Sequence, residues 1–117
     1  MTTIPGPKRG DLEPDLVIDL AASPTTTDLT AVSSWRILGR LMNGTTLAID
    51  AALSIGTGLV VNPAEKWKAV VTHQWAGSQT ASAGLLLVEI EATWPGGNKQ
   101  TFPTSGYIQI RISDDLG

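Results

Sequence analysis

Few residues in this chain are of types that do chemistry, so each group can be weighed by its spacing. His73 is the single histidine, set in a Val/Thr/Trp-rich stretch with Trp67 and Trp75 at alternate positions and Ser78 and Ser82 downstream. A histidine base needs a nucleophile within hydrogen-bond reach and a third group to orient it. Neither serine stands in a Gly-x-Ser-x-Gly turn, so His73 reads as a sheet histidine, exposed or bonded to backbone. Glu89 and Glu91 alternate on one strand, about 7 Å apart, a separation that glycoside hydrolysis can use. A sugar cleft would also need aromatic platforms, and Trp94 falls on the opposite face. Carboxylates on a wet sheet face, near Arg36, Arg40 or Arg111, fit better. Calcium would need six to eight oxygens, and no Asp-x-Asp-x-Asp loop supplies them. Gly56-x-Gly58 echoes a dinucleotide fingerprint, but Val61 stands at the third glycine position and no βαβ unit surrounds it. Asp114 and Asp115 read as a solvated chain end.

Composition removes further classes. The chain has no cysteine, which excludes disulfides, thiolate metal sites, iron–sulfur clusters and cysteine nucleophiles together. With one histidine, no site can use two. The eight Lys and Arg are scattered and the formal net charge is −3, whereas phosphate binding depends on clustered cations. These counts point away from an enzyme, a metal or cofactor protein and a nucleic-acid binder. Neither a secretory leader nor a membrane-length apolar run is expected from the residues present. At 117 residues, 42% hydrophobic and 16% charged, the chain suits one folded domain with a single core.

The elements that would position these residues are strands. Leu16, Ile18 and Leu20 alternate with Val17, Asp19 and Ala21, and Trp35, Ile37, Gly39 and Leu41 alternate with Arg36, Leu38 and Arg40. Asn43-Gly44 predicts a type I′ hairpin turn returning through Thr45–Asp50. Leu53–Val61 predicts one strand, or two short ones bent at Gly56 and Gly58. Residues 62–75 carry both patterns. Asn62, Pro63 and Glu65 fit a helix start, but Trp67, Ala69, Val71, His73 and Trp75 alternate and Val70, Val71 and Thr72 are strand formers. A turn at Asn62-Pro63 followed by a strand is preferred. Gly84–Trp94, a turn at Pro95–Asn98, Lys99–Phe102 and Tyr107–Ser113 complete the pattern.

Residues 1–14 differ from the rest. Pro5, Pro7 and Pro14 interrupt Gly6, Gly10 and the charged Lys8, Arg9, Asp11 and Glu13. An independent helix or strand is not expected there. The segment reads as an extended N-terminal arm ahead of a domain at 15–117, frayed or laid on a neighbouring subunit. About seven or eight short antiparallel strands without a helix then read as a β-sandwich. The four tryptophans outnumber Tyr107 and Phe102. Trp35 is expected in the core, while Trp67, Trp75 and Trp94 are interface candidates, together with Ile4, Pro5, Pro7 and Arg9 of the arm.

The order of signals from Leu53 to Ile112 carries a resemblance. A GLVV strand enters Asn62-Pro63 and a Val/Thr strand. Thr80, Ala81 and Gly84 lead into an apolar-acidic strand, a Pro-Gly-Gly turn and a final Ile-rich strand. This resembles the small immunoglobulin-like β-sandwich modules of tailed-bacteriophage virion proteins, such as the N-terminal domain of baseplate upper proteins. The likeness covers about half the chain. The family's modules usually head a longer chain with a receptor-binding or coiled-coil part, and here the module is expected to stand by itself. The resemblance implies a virion structural subunit (tail, baseplate, neck or capsid-surface decoration) made in the host cytoplasm. Its partners would be other virion proteins and copies of itself, with no membrane or nucleic acid contacted directly. A small carbohydrate-binding module using two exposed tryptophans is the alternative.

Overall fold

The computed structural model describes residues 3–44, 46–103 and 106–114. Nine strands form: β1 (Thr3–Lys8), β2 (Leu16–Ala21), β3 (Ser34–Leu41), β4 (Ile49–Ile55), β5 (Gly58–Val61), β6 (Lys68–His73), β7 (Gly84–Thr93), β8 (Lys99–Phe102) and β9 (Ile108–Ser113). They join in one sheet of order β1-β9-β7-β3-β4-β5-β6-β2, with β8 paired to β7 beyond the start of β9. Two single 3₁₀ turns, at Leu29–Ala31 and Gly77–Gln79, are the only helical elements among the described residues. The protein is all-β.

The sheet curls into a nearly closed, barrel-like mixed sheet rather than dividing into two separate antiparallel layers. The corner is made inside one strand. Ile49 to Leu53 of β4 pair with β3, while Ser54 and Ile55 pair in parallel with Gly58 and Leu59 of β5. Gly56 and Gly58 at φ 90° and 84° make the bend that separates β4 from β5, a backbone region that side chains resist. The expectation of purely antiparallel pairing is corrected here and at the chain start. Thr3, Ile4 and Pro5 pair in parallel with Gln109, Ile110 and Arg111. Residues 3–8, read as an extended arm with no independent strand, are extended and form a strand by pairing with β9. The prolines are tolerated because β1 is an end strand of the sheet.

Period-two alternation builds the interior. Leu16, Ile18 and Leu20 of β2, Ala69 and Val71 of β6, Trp35 and Ile37 of β3, Leu86, Val88, Ile90 and Ala92 of β7 and Ile110 and Ile112 of β9 are all buried. Trp35 stacks on Phe102 of β8, ring centroids 6.4 Å apart. Gly39 sits against Ile49 and Val88 so closely that a Cβ there would lie 3.2 Å from Ile49 Cδ1. Its lack of a side chain lets β3 pass over the core.

Two turns differ from expectation. Neither Asn43 nor Gly44 adopts a positive φ, so no type I′ turn forms. The tail of β3 stays with β7, where Met42 N–H reaches the Leu85 carbonyl at 2.9 Å. The connection closes by Gly44 N–H to the Leu41 carbonyl, and β4 starts only at Ile49; Thr45 lies outside the described residues. At residues 62–65 the helix-start chemistry is present without a helix. Asn62 Oδ1 accepts from the N–H groups of Ala64 and Glu65, both at 2.9 Å. Lys68 N–H then bonds the Glu65 carbonyl, and the chain leaves as β6. Residues 68–73 are strand.

Candidate interaction surface

The residues singled out in the sequence fall into three places. Ile4, Pro5, Pro7 and Arg9 lie along and just past β1. Ile4 is half-buried and packs on the core, opposite Ile110. Pro5 is exposed and Pro7 buried. Arg9 is exposed, with its Nε 3.8 Å from Asp114 Oδ1, and its N–H bonds the Ser113 carbonyl at 2.7 Å. This segment is tied to the chain's own last strand, so Pro7 and the inner side of Ile4 are withdrawn from any partner.

Trp67 and Trp94 share the opposite end of the barrel, where the loops 22–33, 62–67 and 94–98 gather. Trp67 is half-buried, and the Lys68 ammonium sits 4.7 Å from its ring centroid, occupying one face. Trp94 is half-buried at the tip of the β7–β8 hairpin, where Gly96 and Gly97 take φ of 95° and 94°. It lines an open cavity of about 750 Å³ with Thr27, Ala31, Pro95, Asn98, Lys99 and Gln100. Asp28, beside this cavity, accepts from the Thr30 hydroxyl and the Thr30 N–H, and these bonds, in that order, hold its carboxyl below the usual range.

Trp75 is 5% exposed and its Nε1 donates to the Pro14 carbonyl at 3.1 Å. Proposed above as an interface residue, it is a core residue, because its indole fills the space where β6 ends against the start of β2. His73 is buried too, edge-on to Trp75 at 5.4 Å. Its Nε2 lies 2.8 Å from Gln79 Oε1, which also accepts from the Ala76 N–H. With that oxygen already accepting from Ala76, the contact suits a donating Nε2. The partner is thus a side chain, where solvent or backbone was expected. This set holds the β6–β7 connection together.

Glu89 and Glu91 lie on the outer side of β7, as their alternation predicts. Glu91 stands opposite Arg36 in the β3–β7 register and meets Lys99 of β8 at 3.4 Å. Arg36 turns to Asp50 of β4, with 2.6 Å between Nη2 and Oδ1. A row of alternating charge thus crosses four strands. Exposed pairs of this kind add little stability, about 0–1 kcal/mol each. Among the described residues no three His, Asp or Glu side chains gather as a metal set, and no helix is long and apolar enough to cross a membrane.

Two features were not visible in the sequence. Val60 and Val70 are cross-strand partners on the outer face of β5 and β6, Asp19 of β2 stands opposite Val70, and Val17 follows one outward position along. The three valines are 62%, 39% and 54% exposed respectively. Alternation marked Val17 as outward, but only the register joins the three. The second feature is an open groove of about 640 Å³ where the barrel fails to close, between β2 and the wall formed by β1, β8 and β9. Comparisons with known proteins find no family model, no characterised protein and no solved structure that matches this chain.

Proposed function

We propose that the protein is a structural subunit of a tailed-bacteriophage virion, at the tail, baseplate, neck or capsid surface, working through protein–protein contacts and not through catalysis. The observation that carries this reading is the outward valine strip of Val60, Val70 and Val17. Exposed apolar side chains grouped on one sheet face suit a contact surface, and β-branched residues on a pleated face make a flat one. The strand order supports an immunoglobulin-like module. β2-β6-β5 follows the B-E-D order of such sandwiches, and β9-β7-β3-β4 follows G-F-C-C′. In this reading β4 joins the two sheets. Copies of the chain meet through the valine strip, and the barrel ends carry contacts to other virion proteins.

Mass spectrometry of purified particles tests this, together with sedimentation of the isolated protein. The protein is expected in the particle and above monomer mass, with Val60→Lys returning it to monomer. A monomer absent from particles ends the proposal.

The cavity beside Trp94 favours a second reading, a small carbohydrate-binding module. Trp94 lines it together with Thr27, Asn98, Lys99 and Gln100, residues whose polar groups can bond sugar hydroxyls. A change in tryptophan fluorescence with glycans, lost in Trp94→Ala, would support it. A flat response across a broad glycan panel would remove it.

A further inference from the structure

Three strands, β1, β2 and β8, have a single neighbouring strand each among the described residues, and their free edges are not equivalent. β1 carries Pro5 and Pro7, which have no N–H to offer. β8 is four residues long, starts with Lys99 and is followed by Pro103. Short length, lysine and proline are the usual means of keeping an edge from pairing. β2 has neither proline nor lysine.

The register shows what the β2 edge presents. Ala22 N–H bonds the Trp67 carbonyl at 2.8 Å, continuing the ladder in which Leu20 pairs with Ala69, Ile18 with Val71 and Leu16 with His73. In an antiparallel ladder the bonded pairs alternate along the strand. The even-numbered residues of β2 are therefore bonded to β6, and Val17, Asp19 and Ala21 turn their N–H and C=O groups away from it. These groups face the open groove. Ile4, Phe102, Tyr107 and Ile108 line its far side, and Ile18 and Leu20 its near side.

From this we infer that the groove is a strand-addition site that takes an extended segment of a partner protein, apolar at alternate positions and carrying Lys or Arg opposite Asp19. The added strand bonds the free edge of β2, places its inner side chains on Ile4, Phe102 and Ile108, and completes the barrel. Charge selects the occupant. Asp11, Glu13 and Asp15 precede β2 and Asp19 lies within it, with no Lys or Arg between residues 10 and 35. Lys68, opposite Ala21, is engaged by Glu65 at 3.4 Å. A second copy fits poorly. Symmetric pairing of β2 with itself about Asp19 sets two carboxylates directly opposite. The partner's existence rests on the assembly reading above; the slot itself does not.

The probe is a pair of capped peptides, Thr-Val-Lys-Val-Thr and Thr-Val-Glu-Val-Thr, titrated into the whole protein and followed by NMR and amide exchange. The lysine peptide is expected to saturate and to slow exchange at Val17, Asp19 and Ala21. The glutamate peptide is expected to bind about tenfold more weakly or worse, with the order reversed in Asp19→Lys. Val17→Pro removes one outward N–H without touching the β6 ladder and should abolish binding while leaving the spectrum of a folded chain. No saturation by the lysine peptide, or protection elsewhere on the chain, overturns the inference. Equal binding of both peptides overturns the choice of a basic partner. Protection of the same three amides that grows with protein concentration alone would assign the edge to a second copy and overturn it as well. A protein absent from virions that still binds the lysine peptide would end the proposed function and leave the slot standing.

Discussion

The indole N–H of Trp75 donates to the carbonyl of Pro14, joining a residue two positions past the end of β6 to the residue that closes the proline-rich start of the chain. One hydrogen bond thus links the β6–β7 connection to the approach into β2. Phenylalanine at position 75 keeps most of the buried ring and removes the donor, leaving the Pro14 carbonyl unpaired. Trp75→Phe is expected to lower stability by about 1–2 kcal/mol, read from the shift in a urea midpoint at unchanged slope.

Removal of residues 1–8 tests the parallel strand. An arm laid on a neighbour could be cut away without loss to the domain, whereas β1 covers the edge of β9 and adds Ile4 and Pro7 to the interior. The shortened chain is expected to lose about 2–3 kcal/mol and to melt at lower temperature. An unchanged melting temperature would mean that β1 contributes no stability.

Thr80 is fully buried, and its hydroxyl makes no hydrogen bond among the described residues. Its carbonyl is used, accepting from the Gly10 N–H at 2.8 Å. Valine has nearly the same shape and keeps that carbonyl while removing the unsatisfied group. Thr80→Val is expected to stabilise the fold by about 1 kcal/mol, visible in the same denaturant titration.

Asp28 gives a pH dependence of known sign. Its bonds from Thr30 lower the folded-state pKa relative to the unfolded chain. The stabilisation is therefore present above the unfolded pKa and fades as pH falls through the folded one. From about pH 4 downward the wild-type protein should lose stability faster than Asp28→Asn. Stability curves of the two at several acid pH values, parallel throughout, would show that Asp28 contributes nothing to the acid limb.

Strands were legible wherever alternation was strong. Leu16, Ile18 and Leu20 are buried with Val17, Asp19 and Ala21 exposed, and β3, β7 and β9 follow the same pattern. Position within the sheet was not legible. Whether Pro5 and Pro7 end a strand or sit on its edge depends on whether β9 is there to pair with, a contact across a hundred residues of chain. Trp75 fails for a related reason, since its burial depends on Pro14. At Asn43-Gly44 local propensity lost to the hold of β7 on the tail of β3. Of the surface features, the outer charges of Glu89 and Glu91 could be read residue by residue. The valine strip and the open side of β2 arise from register, which has no signature within any one strand.

The parallel run of β1 beside β9 has a mechanical meaning. The first described strand begins next to Gln109 and the last ends near Lys8, so β1 starts at one end of this ladder and β9 finishes at the other. Tension between them pulls β1 and β9 past each other along their length. Every backbone bond of that ladder is then loaded at once, where a hairpin pulled at its open end would unzip them singly. Under such a load the domain is held by a shear clamp formed by β1 and β9.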